Sequence, residues 1–157
     1  MTTDIISGGN EIITTLVILV LAWPLAAISQ DLGLSSFIQQ HVGNSLPAWS
    51  VPVSLFLLSG AVTYFIGSGW GAASLIMPLA ITLAVSVSSN IPLCVAAVIT
   101  GGTFGDVSSP VAGMTNMSSN IARADHTKYI KYLNPYNFIA AGIAAILFLI
   151  IAFFYQQ

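Results

Sequence analysis

One carboxylate sits where apolar sequence surrounds it: Asp106, inside Thr100 to Met117, TGGTFGDVSSPVAGMTNM. Thr103, Ser108, Ser109 and Thr115 lie within the same stretch and bring the oxygen donors that hard cations take. Its glycines and proline interrupt what otherwise reads as one long apolar helix. A carboxylate near the centre of a bilayer costs about 2.5 to 3.5 kcal/mol on insertion scales, and an interrupted helix there leaves backbone groups that need partners. The chemistry that uses such a combination is coordination of an ion or a small substrate, because an interruption aims carbonyls and helix-end N–H groups at one point. Desolvation favours the protonated form of a carboxyl and a bound cation favours the ionised form, so one aspartate can exchange a proton for sodium. Loaded with either ion such a site is neutral, which predicts one-for-one, electroneutral exchange. Asp106 and Ser108 are the expected sodium ligands, with sodium or a proton as the coupling ion and no resident cofactor.

A second glycine-rich break, Gly67-Ser68-Gly69-Trp70-Gly71, adds Ser68 and Trp70 as ligand and gate. Small residues that let helices pack closely explain this break equally well. For Asp106 the plainer alternative is a helix-end aspartate satisfied by nearby N–H groups. Met114 and Met117 read as packing, Cys94 as a buried thiol, and His126, beside Asp125 in a basic loop, as a solvated side chain.

These stretches are embedded in a chain of 157 residues that is 56% hydrophobic and only 5% charged, with mean hydropathy +0.91. That composition cannot keep a water-soluble globule in solution, so the chain reads as a multi-pass protein of the cell (inner) membrane, with lipid as its first partner. A net charge of -2 with three basic residues excludes nucleic-acid binding. No His, Glu or Cys cluster, nucleotide loop or base-paired nucleophile is present, so an enzyme is not expected. GTFGD resembles a potassium filter loop, but its glycines are differently placed and a proline-started half-helix follows at once.

The elements that must position the two breaks follow from length and punctuation. Residues 12–29 are long enough to span, and the start MTTDIISGGNE lacks a basic leader region, which predicts that this segment is retained. Residues 33–47 are more polar and read as an interfacial helix. Residues 51–87 form two apolar arms around the first break; its uncharged turn favours a re-entrant hairpin over two full spans. Asn90-Ile91-Pro92 and Ser109-Pro110 read as cap-then-proline starts, making 91–121 a broken helix. Asn134-Pro135 caps a last span over 135–155, after a loop that holds all three basic residues. The expected fold is an all-α polytopic membrane protein that crosses three times, with that basic loop in the cytoplasm. An odd number of crossings is the parity of one inverted-repeat unit, so 1–157 reads as a single half-transporter unit.

GSGWGAASLIMPLAI (Gly67 to Ile81) and GGTFGDVSSPVAGMTNMSS (Gly101 to Ser119), with LAW at Leu21 to Trp23 and DLG at Asp31 to Gly33, resemble the C-terminal half of the NhaC-type sodium/proton antiporter family. The resemblance implies a site where a hairpin tip meets an unwound helix, with Ser68 and Trp70 at the tip and Asp106, Ser108, Ser109 and Thr115 in and after the break. It also implies a second half, from a separate chain or from another copy in antiparallel orientation. Where that family commonly reads S-P-I-S-D-T-T, this chain reads Ser109-Pro110-Val111-Ala112-Gly113-Met114-Thr115, so Gly113 replaces a second aspartate. That change opens an alternative, a sodium-coupled carrier of a small organic anion or amino acid. A non-transporting accessory subunit is the third class.

Overall fold

The computed structural model describes residues 47–155, together with the isolated helical positions Val20, Pro24, Ile28 and Asp31. The expected first span and interfacial helix therefore lie outside the continuous described region. After a 3-10 turn, Ala48–Ser50, come five α-helices: α1 (Val51–Ile66), α2 (Gly69–Ser86), α3 (Ile91–Ser108), α4 (Gly113–Ile121) and α5 (His126–Phe154). There is no strand among the described residues. Four of the helices, α1 with its leading turn, α2, α3 and α5, are long and apolar enough to cross a membrane.

Small residues decide how these helices meet. On α3, Gly101 and Gly105 stand one turn apart and lie against the backbone of α1. A β-carbon at Gly105 would stand 2.5 Å from the Gly60 carbonyl oxygen and 2.9 Å from the Tyr64 nitrogen, and one at Gly101 would overlap the Phe56 carbonyl. This is the small-xxx-small contact by which helices associate where no hydrophobic force separates lipid from protein. On α2, Ala72, Ile76, Ala80 and Ala84 repeat every fourth residue and form its buried stripe, facing Val51, Leu55 and Phe56 of α1 and Cys94, Ala97 and Val98 of α3. Phenylalanines join α5 to this core: Phe56 to Phe148 with ring centroids 5.5 Å apart, and Phe104 to Phe138 at 5.4 Å.

Helix boundaries differ from expectation in ways that have physical causes. Thr100 to Ser108 is not unwound; α3 runs through it, and the interruption is confined to residues 109–112. Its glycines serve helix packing instead of breaking the helix. Pro110 acts as a stop for α3 and not as the start of the next helix, because the residue before a proline is pushed out of the helical region, and Ser109 is extended (φ -73°, ψ 132°). The first break is also shorter: Gly67 and Ser68 alone separate α1 from α2, and Gly69 to Gly71 are helical. Asn90 caps α3 as expected, accepting from the Leu93 N–H at 3.0 Å. Asn134-Pro135 caps nothing, since α5 begins at His126 and Pro135 lies within it. Asp125 is the actual cap, accepting from the Lys128 N–H, so Lys128 and Lys131 of the expected basic loop are helical.

Candidate functional site

Both breaks come to one place. Gly67 takes a left-handed backbone (φ 76°) that ends α1, and a β-carbon there would stand 2.9 Å from the carbonyl oxygen of Val111, inside the second break. Ser109 donates its hydroxyl to the Tyr64 carbonyl in the last turn of α1, at 2.7 Å. Ser68 caps α2 by accepting from the Gly71 N–H at 3.2 Å, which turns the start of α2 towards the end of α3.

Asp106 lies in the last turn of α3, partly buried, beside Gly69 at the start of α2. A β-carbon at Gly69 would stand 3.1 Å from the Gly102 carbonyl oxygen and 3.5 Å from the Asp106 β-carbon, so a side chain there would press α2 away from α3 by a few tenths of an ångström. The positive end of α2 thus borders a carboxylate, the pairing that helix dipoles favour. A cavity of about 160 Å³ opens beside it, lined by Asp106, Thr103, Val107, Gly69, Trp70 and Met114 among others. Three helices, α2, α3 and α4, therefore contribute to its wall.

Apart from Ser68, which caps α2 and does not line the cavity, the expected site residues divide into two groups. Asp106, Thr103 and Trp70 share the cavity, with Trp70 72% exposed and standing at its edge. Thr103 donates its hydroxyl back to the Ile99 carbonyl at 2.9 Å, leaving its lone pairs available. Ser108, Ser109 and Thr115 are buried elsewhere; Ser109 and Thr115 hold the break together, while the Ser108 hydroxyl has no hydrogen-bond partner among the described residues. The Thr115 hydroxyl bridges the interruption, 2.7 Å from the Ser109 carbonyl oxygen and 2.9 Å from that of Ala112. Ser108 does not line the cavity. It follows Asp106 by two residues on a continuous helix, and residues so spaced do not share a face. The expected pairing of Asp106 with Ser108 rested on an unwound backbone that α3 does not have.

Sequence reasoning missed two features. His126, expected to be solvated, places Nε2 2.8 Å from the Pro110 carbonyl oxygen and Nδ1 3.0 Å from the Ser119 hydroxyl, pinning the break to the first turn of α5. Nε2 must carry a proton to donate to that carbonyl. The second feature is a group of hydroxyls on α1, Ser59 and Thr63, that face the glycines of α3. Their spacing of four residues was the available signal, and it was absorbed into an apolar run. No group of three or more His, Cys, Asp or Glu residues suited to a metal ion occurs among the described residues.

Comparison with known proteins adds an independent line. The family model described as the Na+/H+ antiporter family matches residues 2–153. An uncharacterised protein of Haemophilus influenzae is 28% identical over 152 residues, covering 96% of this chain and 29% of that protein. An uncharacterised Na+/H+ antiporter of the same organism is 30% identical over 81 residues, 52% of this chain and 17% of its own length. A malate-2H+/Na+-lactate antiporter of Bacillus subtilis is 27% identical over 107 residues, 65% of this chain and 23% of its own length. The chain thus spans less than a third of each of these relatives. No solved structure matches it.

Proposed function

Since this chain belongs to the Na+/H+ antiporter family, we propose that it forms part of a secondary active transporter that exchanges sodium for protons, with Asp106 as the group that carries either ion. It is a membrane protein, and its apolar helices supply the spans. The observation that carries the mechanism is the placement of Asp106 beside Gly69, at the start of α2, on the wall of a cavity formed by α2, α3 and α4. In the sodium-loaded state the ionised carboxylate and the Thr103 hydroxyl are oxygen ligands of the kind a hard cation takes. In the proton-loaded state the same carboxyl is neutral and releases the cation. Charge is equal in both states, so one sodium moves against one proton.

The finer architecture is part of the same proposal. The α1–α2 turn carries no charged residue and packs on the second break, which supports a hairpin tip held within the membrane. Residues 109–112 are the break that separates α3 from the short α4. The rest of the carrier, a second half-transporter region or another copy in opposite orientation, closes the far wall of the cavity.

A second reading has a specific observation behind it. A β-carbon at Gly113 would meet nothing within 4 Å, so space lies at the start of α4 beside Met114 of the cavity wall. A relative of this chain is named for exchanging organic acids. These two observations support a sodium-coupled carrier of a small organic anion.

Transport by the assembled carrier in proteoliposomes tests both readings. With an imposed pH gradient, radiolabelled sodium enters, and Asp106→Asn abolishes entry while assembly is retained. Unchanged sodium exchange in Asp106→Asn rejects the mechanism and leaves an accessory role. Counterflow of labelled lactate or malate in place of sodium–proton exchange favours the second reading.

A further inference from the structure

We infer that His126 is a second proton-binding site of this chain, and that its proton closes a hydrogen-bonded latch across the second break. Three contacts define the latch. Nε2 lies 2.8 Å from the Pro110 carbonyl oxygen, Nδ1 lies 3.0 Å from the Ser119 hydroxyl, and that hydroxyl lies 2.9 Å from the Asn116 carbonyl oxygen. Ser119 is fully buried, out of reach of solvent. The latch joins three parts of the chain: Pro110 in the break, Ser119 near the end of α4 and His126 at the start of α5.

Counting protons decides which form of the ring this geometry holds. A carbonyl oxygen only accepts, and a hydroxyl has one proton to give. With a neutral ring protonated on Nε2 the Pro110 bond is made, but the Ser119 proton goes either to Nδ1 or to the Asn116 carbonyl, never to both. In the other neutral tautomer Nδ1 donates to Ser119 and Ser119 to Asn116, yet a bare Nε2 then faces the Pro110 oxygen, lone pair against lone pair. Only the imidazolium, with a proton on each nitrogen, meets all three contacts at once. Its two bonds are also charge-assisted, the stronger kind. Among the described residues, 109–112 and α4 carry no titratable side chain. Around the start of α5 the charged or titratable groups are Arg123, Asp125, Lys128 and Tyr129, and α1 and α3 bring Tyr64 and Asp106 towards the break. The charge gained by the ring lies between the Asp125 carboxylate, one residue away, and the positive end of α5. Because α4 presents Met114 to the cavity beside Asp106, a proton on His126 steadies that wall without entering the cavity.

The direction of the effect follows. As pH rises from about 5 to about 8, the range in which histidines give up their charge, one of the three contacts is lost and the break loosens; acid restores it. Amide exchange of residues 111–116 in the full carrier, purified in detergent and corrected for the intrinsic pH dependence of exchange, tests this. Protection is expected to fall about tenfold across that range, the fold-change of one hydrogen bond. His126→Gln, whose amide does not titrate, removes the pH dependence. Ser119→Ala separates proton counting from charge alone: without the hydroxyl the neutral ring meets the one contact that remains, to Pro110, so the response shrinks to about twofold or less. A response of full size in either variant overturns the inference, as does protection in the wild type that is independent of pH. The latch goes beyond sodium exchange and does not depend on it. Asp106→Asn, which abolishes exchange in that reading, keeps the pH response of the break; a response lost in Asp106→Asn and kept in His126→Gln assigns the titration to Asp106 and rejects the latch alone.

Discussion

The Ser109 hydroxyl lies 2.7 Å from the carbonyl oxygen of Tyr64, so the ends of α1 and α3 are tied where each helix stops. Ser109 is fully buried, and no solvent is at hand to replace the bond. Ser109→Ala is expected to lower stability by about 1 to 3 kcal/mol, the cost of leaving a buried carbonyl unpaired. Thermal unfolding in detergent, with Ser109→Thr as the hydroxyl-retaining control, measures it.

The glycines of α3 make a graded prediction. Gly105→Ala places a methyl 2.5 Å from the Gly60 carbonyl oxygen and the same distance from the Thr63 β-carbon. The helices must part, at about 1 to 3 kcal/mol or more. Gly142 on α5 meets nothing within 4 Å, so Gly142→Ala is expected to be neutral or to stabilise by about 0.5 to 1 kcal/mol. The difference between these two unfolding temperatures isolates close packing from helix propensity.

Gly67→Ala combines two penalties. Its left-handed backbone costs a side-chain-bearing residue about 1 to 2 kcal/mol, and the added methyl would stand 2.9 Å from both the Val111 carbonyl oxygen and its Cγ2. Trimming the partner with Val111→Ala is expected to rescue little, because the carbonyl contact stays. Unfolding of the single and double variants checks this directly.

His126 is expected to order the second break. His126→Ala removes the partner of the Pro110 carbonyl and one of the two partners of the Ser119 hydroxyl, which keeps its bond to the Asn116 carbonyl. Amide exchange in residues 111–116 should then rise about tenfold, as expected from about 1.4 kcal/mol of lost bonding. Exchange in α3 should stay unchanged, and a uniform rise would contradict a local role.

Much of this architecture was legible in the residues. The apolar runs gave α1 and α2 within a few residues and the start of α3, Asn90 gave its cap, and the two glycine-bearing stretches turned out to be neighbours in space. What was not legible has a common cause. Glycine, serine and proline each serve two ends, breaking a helix or letting another pack upon it, and a sequence alone does not say which. Gly101, Gly102 and Gly105 read as a break because Asp106 follows them, yet they are helical and face α1. Pro110 read as a start and is a stop, because its restriction on Ser109 acts before its own tolerance at the first turn of a helix. The extension of α5 back to His126 was hidden by the polarity of Lys128 and Lys131, which a helix emerging from an apolar layer carries easily on its exposed turns.

Where α1 meets α3 the two main chains touch almost directly, with Gly60, Gly101 and Gly105 at the contact. No layer of side chains lies between them to be reshuffled, so neither helix can slip along the other without its carbonyls colliding with the neighbour. They make a single strut. The contact of this strut with α5 is of another kind, made by the rings of Phe56, Phe104, Phe138 and Phe148, side chain on side chain.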